Sequence, residues 1–110
     1  MPVSAEFVEY IKDLLANIPE LESKKFFGGI SLRSGDLQFA MILNDTFYFV
    51  VDDQSRPDFE ALNMQPFRYM KKTGEVTVKK YYTAPEHLFD DEELMMKWAL
   101  LALEAARRCK

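Results

Sequence analysis

The sequence predicts an α+β domain: an antiparallel sheet of five strands flanked by helices, in the order α-β-β-β-α-β-β-α. Three observations support this. Apolar residues recur every three or four positions at both ends of the chain, and they alternate with polar residues through the middle. The predicted strands are grouped, and the turns between them are too short for parallel crossovers. With 110 residues, of which 48% are hydrophobic, we expect one domain over residues 1–110.

The first element is a helix predicted from Ala5 to Ile18. Ser4 is a suitable N-cap and Pro19 stops the helix from continuing. Residues 21–25 are interpreted as a polar connection. The apolar face of the helix consists of Phe7, Ile11, Leu14, Leu15 and Ile18.

Three strands are predicted next, because the hydrophobic period changes to two at Gly29. The first covers residues 29–33, the second covers 37–43, and the third covers 46–51. Asn44-Asp45 is expected to form a compact hairpin link. The third strand is apolar on both faces, which predicts a central place in the sheet.

A short helix is predicted around residues 55–62. Ser55 is expected to cap it, Pro57 lies in its first turn, and Asn63 is a suitable ending residue. Phe59 and Leu62 form its expected buried side.

The last elements are a hairpin and a long helix. Residues 67–72 and 75–82 are predicted to pair around Thr73-Gly74. Asp90 is expected to begin the helix, with Glu93 completing a capping box. The predicted buried face of this helix consists of Leu94, Trp98, Leu101 and Ala105, with Met95 and Ala102 beside it.

Charge is distributed unevenly along the chain. There are 14 basic and 18 acidic residues, which give a net charge of −4 and argue against general coating of nucleic acid. Residues 67–82, however, contain one acidic residue, Glu75, and five basic residues: Arg68, Lys71, Lys72, Lys79 and Lys80. The favoured interpretation is a solvated hairpin face whose lysines protect a sheet edge.

The same hairpin is the candidate interaction surface. Its tyrosines Tyr69, Tyr81 and Tyr82 alternate with lysines, a pattern used by proteins that bind single-stranded nucleic acid. Tyrosine is also common in strands for packing reasons. Exposed sheet edges equally bind protein partners or a second copy of the chain, so a homodimer is possible.

No catalytic, metal-binding or cofactor-binding residues are predicted. His87 and Cys109 are single residues of their type and cannot form a zinc site alone. Asp52-Asp53 and residues 90–93 lack the spacing of an EF-hand, and Gly28-Gly29 lacks the rest of a phosphate loop. No signal peptide or membrane-length apolar stretch occurs, so we expect a cytoplasmic protein that does not bind a membrane.

A resemblance covers nearly the whole chain. It begins at Lys25-Phe26-Phe27-Gly28-Gly29, which contains the motif Phe-Gly-Gly at Phe27, Gly28 and Gly29. It continues through several later segments. These are similar, in order, to the N-terminal domain of the TfoX/Sxy family of competence regulators. The later segments are Phe39-Ala40, Asn44-Asp45, Phe47-Tyr48, Val51-Asp52-Asp53, Phe59, Met64-Gln65-Pro66-Phe67, Tyr69, Tyr81-Tyr82 and Ala84-Pro85-Glu86.

The resemblance implies a five-stranded antiparallel sheet akin to secretion-chaperone-like folds. It also implies a non-enzymatic role in bacterial competence, alongside a transcription factor of the cAMP receptor protein type. The family's full-length regulators carry a second, helical domain, for which we expect no counterpart in residues 1–110. Two positions depart from the family pattern: Val50, where a lysine is frequent, and Ser31, where a second glycine is frequent.

Three functions are therefore compared. A regulatory module that binds a protein partner is favoured, and weak nucleic-acid binding by the 67–82 hairpin is the alternative. A small enzyme or ligand-binding protein ranks last, because it would need an enclosed cavity with converging polar groups.

Overall fold

The computed structural model describes residues 5–26, 29–43 and 46–108. A short 3-10 helix, Glu86–Asp90, precedes the last helix. The other elements, in chain order, are α1 (Ala5–Leu14), β1 (Leu21–Phe26), β2 (Gly29–Ser34), β3 (Leu37–Leu43), β4 (Thr46–Val50), α2 (Arg56–Ala61), β5 (Pro66–Lys71), β6 (Gly74–Thr83) and α3 (Glu92–Arg108).

All six strands form one antiparallel sheet in the order β1-β2-β3-β4-β6-β5. The predicted α+β class, the antiparallel pairing and the central place of β4 are confirmed. The predicted number of five strands is wrong, because the supposed polar connection is strand β1, paired with β2 from Leu21 opposite Ser34 to Phe26 opposite Gly29. An edge strand tolerates such polar side chains, since one of its sides remains in solvent.

The hydrophobic core lies between one face of the sheet and the helices. Phe49 contacts Phe59 of α2, with ring centroids 6.3 Å apart, and Phe59 contacts Trp98 of α3 at 4.9 Å. Phe47 contacts Phe89 of the 3-10 helix at 6.2 Å. These edge-on and tilted ring pairs bind α2, α3 and the 3-10 helix to the same side of the sheet.

The opposite face of the sheet carries different residues. Strand register places Met41 beside Tyr48 and Val50 beside Tyr81 on this face. Met41 and Val50 are each 1% exposed, although neither belongs to the helix-covered core cluster. Directly paired side chains on neighbouring strands lie within contact distance, so the larger tyrosines shield them.

Helix α1 is shorter than predicted. It ends at Leu14, and the chain then turns so that the Ile18 N–H donates to the Leu15 carbonyl at 2.9 Å. Leu15 and Ile18 are nevertheless buried, as their spacing predicted. Four features named in the sequence analysis lie outside the described residues: the Ser4 cap, the Asn44-Asp45 link, Phe27-Gly28 and Cys109.

The beginning of α3 differs from the prediction by one residue. Asp90 belongs to the 3-10 helix, and Asp91 caps α3 by accepting the Leu94 N–H at 3.0 Å. Leu101, predicted to be buried, is 37% exposed. The face that packs on the sheet is rotated toward Met95 and three small side chains, which let the helix approach closely: Ala99, Ala102 and Ala106.

A polar turn connects β4 to α2 and holds the end of α3. Ser55 does not cap α2 as predicted; its hydroxyl instead accepts the Asp52 N–H at 3.0 Å. The Asp52 carboxylate accepts the N–H groups of Gln54 and Ser55 and a bidentate pair of bonds from Arg108, one of them 3.1 Å long. Arg108, the main cause, therefore holds the pKa of Asp52 well below its usual value.

This ion pair gives a pH-dependent contribution to stability. Because the folded-state pKa of Asp52 lies below the usual 3.8, the contribution is present above about pH 4 and is lost as the pH falls further. We expect Arg108→Gln to lower the free energy of unfolding by about 1 kcal/mol at pH 7, a value discounted for the solvent exposure of the arginine. Urea titrations at both pH values should show that the free energies of unfolding of the variant and the wild type differ less at pH 3 than at pH 7.

The neighbouring arginine provides the matched control. Arg107 is exposed and forms no ion pair within the described part of the chain. Arg107→Gln should leave stability unchanged at both pH values. A cost of Arg108→Gln that is equal at pH 7 and pH 3 would contradict the assignment to Asp52.

Candidate interaction surface

Strands β5 and β6 form a hairpin that extends beyond the rest of the sheet. Residues 81–83 of β6 pair with β4, whereas residues 74–78 pair only with β5 in the described structure. Lys72 and Thr73 form the turn, and Gly74 has a φ of 128°, which favours glycine. The hairpin therefore has two solvent-facing sides near its tip.

The pairing assigns each residue of the hairpin to one side. Phe67 pairs with Val78 and Tyr69 pairs with Val76, so these residues share a face with Lys71. A register shift between Pro66 and Phe67 aligns this face with the side of the sheet opposite the helices. We call the combined surface the open face, which consists of Ser31, Met41, Tyr48, Val50, Phe67, Tyr69, Lys71, Val76, Val78 and Tyr81.

Aromatic rings run across the open face toward the hairpin tip. Tyr48 contacts Phe67 edge-on, with ring centroids 5.4 Å apart, and Phe67 is stacked on Tyr69 at 5.9 Å. The Lys71 ammonium lies over the Tyr69 ring, 5.9 Å from its centroid. At the inner end, the Tyr81 hydroxyl donates to Gln38 at 3.5 Å, and burial raises the pKa of Tyr81.

The other side of the hairpin carries a separate set of residues, all of them exposed. Arg68 pairs with Thr77, and Met70 pairs with Glu75. Met70 is 72% exposed, the highest value among the large apolar residues of the described chain. This side therefore combines an exposed apolar side chain with a cation at the sheet edge.

The five hairpin cations form no ion pair with any described residue. Arg68 donates a hydrogen bond to Gln65 at 3.4 Å, and the Lys80 ammonium lies 5.8 Å from the centroid of the Tyr81 ring. Lys71, Lys72, Lys79 and Lys80 are all exposed. Their charges are available to a negatively charged partner.

The structure brings together only part of the predicted surface. Tyr69, Lys71, Lys80 and Tyr81 lie on or beside the open face, whereas Arg68 points to the other side. Tyr82 does not alternate with the lysines on the surface as expected, since it is only 3% exposed. Its hydroxyl donates to Glu60 at 3.1 Å, and burial raises its pKa.

Neither the exposed apolar residue Met70 on one side of the hairpin nor the aromatic contact between Tyr48 and Phe67 on the open face was predicted from the sequence. Tyr48 lies in a strand that is apolar on both faces, so its side could not be assigned. The register shift passes from Pro66 opposite Tyr82 to Phe67 opposite Val78, so it changes the face of the β6 residues nearer the tip. The exposure of Met70 could have been inferred from the sequence, because this apolar residue lies between the cations Arg68 and Lys71.

A comparison with models of protein families matches residues 13–106 to the TfoX N-terminal domain. The chain belongs to the TfoX N-terminal domain family. This regulatory family is associated with competence and has no known catalytic activity. A search of curated proteins finds no match.

The TfoX motif Lys25-Phe26-Phe27-Gly28-Gly29 is explained in part by the packing of its last glycine. A Cβ atom on Gly29 would lie 2.2 Å from the Ile42 carbonyl oxygen and 2.5 Å from a Leu43 methyl carbon. Neighbouring strands thus meet too closely for any side chain at this position. Lys25 is exposed on the edge strand β1.

The two positions that are expected from the sequence to depart from the TfoX pattern are both buried on the open face. Ser31 is 5% exposed and Val50 is 1% exposed. Val50 pairs directly with Tyr81. The apolar side chain at position 50 thus packs beneath the aromatic residues of the open face.

A groove of about 840 Å³ lies at another end of this TfoX domain, between α1, β4 and the 3-10 helix. His87 is exposed there and lies beside Glu86. Among the described residues, no three His, Cys, Asp or Glu side chains are grouped to hold a metal ion. None of the helices, as far as they are described, is long and apolar enough to cross a membrane. The groove is lined by Phe7, Thr46, Phe47, Leu62, Met64, Thr83, Ala84, Pro85, Glu86, His87 and Phe89.

Proposed function

We propose that this domain is a non-enzymatic regulatory module in the bacterial cytoplasm that binds a protein partner through the 67–82 hairpin. The partner class is a transcription factor of the cAMP receptor protein type. Membership of the TfoX N-terminal domain family supports the regulatory role. The observation that carries the proposal is the hairpin tip, which extends beyond the sheet and exposes Met70, a residue outside the core.

Physical features of β5 explain how such a partner would bind. In the described sheet, β5 is an edge strand, so one row of its backbone N–H and C=O groups is unpaired. An extended segment of the partner can add a strand there, with backbone hydrogen bonds supplying affinity. Met70 offers an apolar anchor, and Arg68 selects for a carboxylate beside it.

The test is binding to the purified, cAMP-loaded cAMP receptor protein of the same bacterium, measured by biolayer interferometry. We expect a micromolar complex that the double variant Arg68→Glu, Met70→Asp weakens at least tenfold. The matched control is Lys97→Glu, Leu100→Asp, which makes the same two kinds of change on exposed residues of α3.

Two outcomes would contradict the proposal. One is the absence of a complex at high micromolar concentration. The other is an equal loss in both double variants, which would show a general charge effect. Light scattering under reducing conditions should accompany the assay, because a homodimer formed through β5 would compete with the partner for the same edge.

A further inference from the structure

Apart from the protein partner, the open face has the chemistry of a binding site for single-stranded nucleic acid. Its outermost ring, Tyr69, is 39% exposed, and Phe67 stacked beside it is partly buried and therefore fixed in orientation. Fixed aromatic rings on a sheet bind bases by stacking, an interaction open to unpaired bases and not to those within a duplex.

The charges around these rings complete the site. Lys71 lies on the open face, and Lys80 lies over the ring of Tyr81, so cations flank the aromatic row at both ends. Glu75, the one acidic residue of the hairpin, is on the opposite side, paired with Met70. The hairpin carries five of the chain's 14 basic residues and one of its 18 acidic residues.

The remainder of the chain, with nine basic and 17 acidic residues, repels a phosphate backbone. Long flexible side chains let the lysines leave the rings and reach phosphates while bases replace them on the rings. We propose that the open face binds single-stranded nucleic acid, with bases stacked on Tyr69 and Phe67 and phosphates paired with Lys71, Lys72, Lys79 and Lys80.

The probes are fluorescently labelled dT20, U20 and a 20-base-pair DNA duplex, with binding followed by anisotropy between 50 and 200 mM salt. We expect micromolar binding of the single strands and at least fivefold weaker binding of the duplex. If three to four phosphates are contacted, the slope of log K against log salt is about −2 to −3. A preference for dT20 or for U20 identifies the natural strand, and either preference supports the site.

Variants on the two sides of the hairpin test whether the rings are used. Tyr69→Ala should weaken binding of dT20 at least fivefold, whereas Tyr69→Phe should retain it because the ring remains. Thr77→Ala is the matched control, since Thr77 is exposed and pairs with Arg68 on the other side of the hairpin. Replacing the four lysines by glutamate should abolish binding, and circular dichroism verifies that each variant is folded.

Several results would overturn the inference. They are no binding of dT20 at 50 mM salt, equal binding of the duplex, or unchanged affinity of Tyr69→Ala. If Tyr69→Ala instead weakens only the complex with the cAMP receptor protein, the open face belongs to the protein partner. That result would leave the proposed regulatory function standing, so the two failures are distinguishable.

Discussion

Gly29→Ala is expected to lower the free energy of unfolding by about 3 kcal/mol. The added methyl group would lie 2.2 Å from the Ile42 carbonyl oxygen, a backbone atom that cannot move without disturbing the pairing of β2 with β3. Since small domains are stable by only about 5–15 kcal/mol, this is a large fraction of the total. Urea denaturation followed by circular dichroism measures the change.

Lys25→Ala provides the comparison for Gly29→Ala. Lys25 belongs to the same family motif, but its side chain is exposed on the edge strand. Its replacement should change stability by no more than about 0.5 kcal/mol. If Gly29→Ala remains within 1 kcal/mol of wild type, the close approach of the strands is not what requires glycine in this motif.

Phe59→Ala is expected to cost about 3–5 kcal/mol, the usual range for removing a buried phenylalanine ring. Phe59 is 3% exposed and joins three elements, since its ring contacts Phe49 of β4, Tyr82 of β6 and Trp98 of α3. Its loss leaves a cavity at the centre of these contacts. Denaturant titration monitored by the fluorescence of Trp98, the single tryptophan, reports both stability and the local environment.

Phe59→Leu separates the role of the ring from that of volume. Leucine fills most of the space but makes no edge-on ring contacts, so we expect a cost of about 1–2 kcal/mol. Tyr69→Ala, which removes an exposed ring, should cost less than about 1 kcal/mol. A cost of Phe59→Ala below that of Tyr69→Ala would contradict the assignment of Phe59 to the core.

The fold was largely predictable because hydrophobic periodicity is a local signal. The positions of α1, α3 and the strands after Gly29 follow from that period. Strand β1 was missed, since an edge strand made of Leu21-Glu22-Ser23-Lys24-Lys25 shows little alternation and gains its hydrogen bonds from β2. Local propensity contains no information on such pairing.

The candidate site was less predictable, for a geometric reason. The basic and aromatic composition of the hairpin was visible in the sequence, but the side on which each residue lies depends on the register shift after Pro66. Strand alternation places Tyr69 and Lys71 on one side of the hairpin and Arg68 and Met70 on the other, and the shift decides which side continues the open face. On the inner side of the shift, Tyr82 pairs with Pro66 and is buried, and its hydroxyl donates to Glu60 of α2.

The tip of the hairpin lies away from the hydrophobic core. A segment that protrudes from the sheet can be changed with little effect on the core, because only residues 81–83 of β6 pair with the central strand β4. Variants of the tip should therefore separate binding from folding. The buried residues Gly29 and Phe59 should do the reverse, since they affect stability throughout the domain.

The central claim is that the hairpin, rather than the groove beside His87, makes the contact with the protein partner. Hydrogen exchange measured by mass spectrometry, with and without the cAMP receptor protein, tests this directly. We predict slower exchange in residues 66–80 and unchanged exchange in residues 83–90, six of which line the groove. Protection confined to residues 83–90, with no change in the hairpin, would contradict the claim.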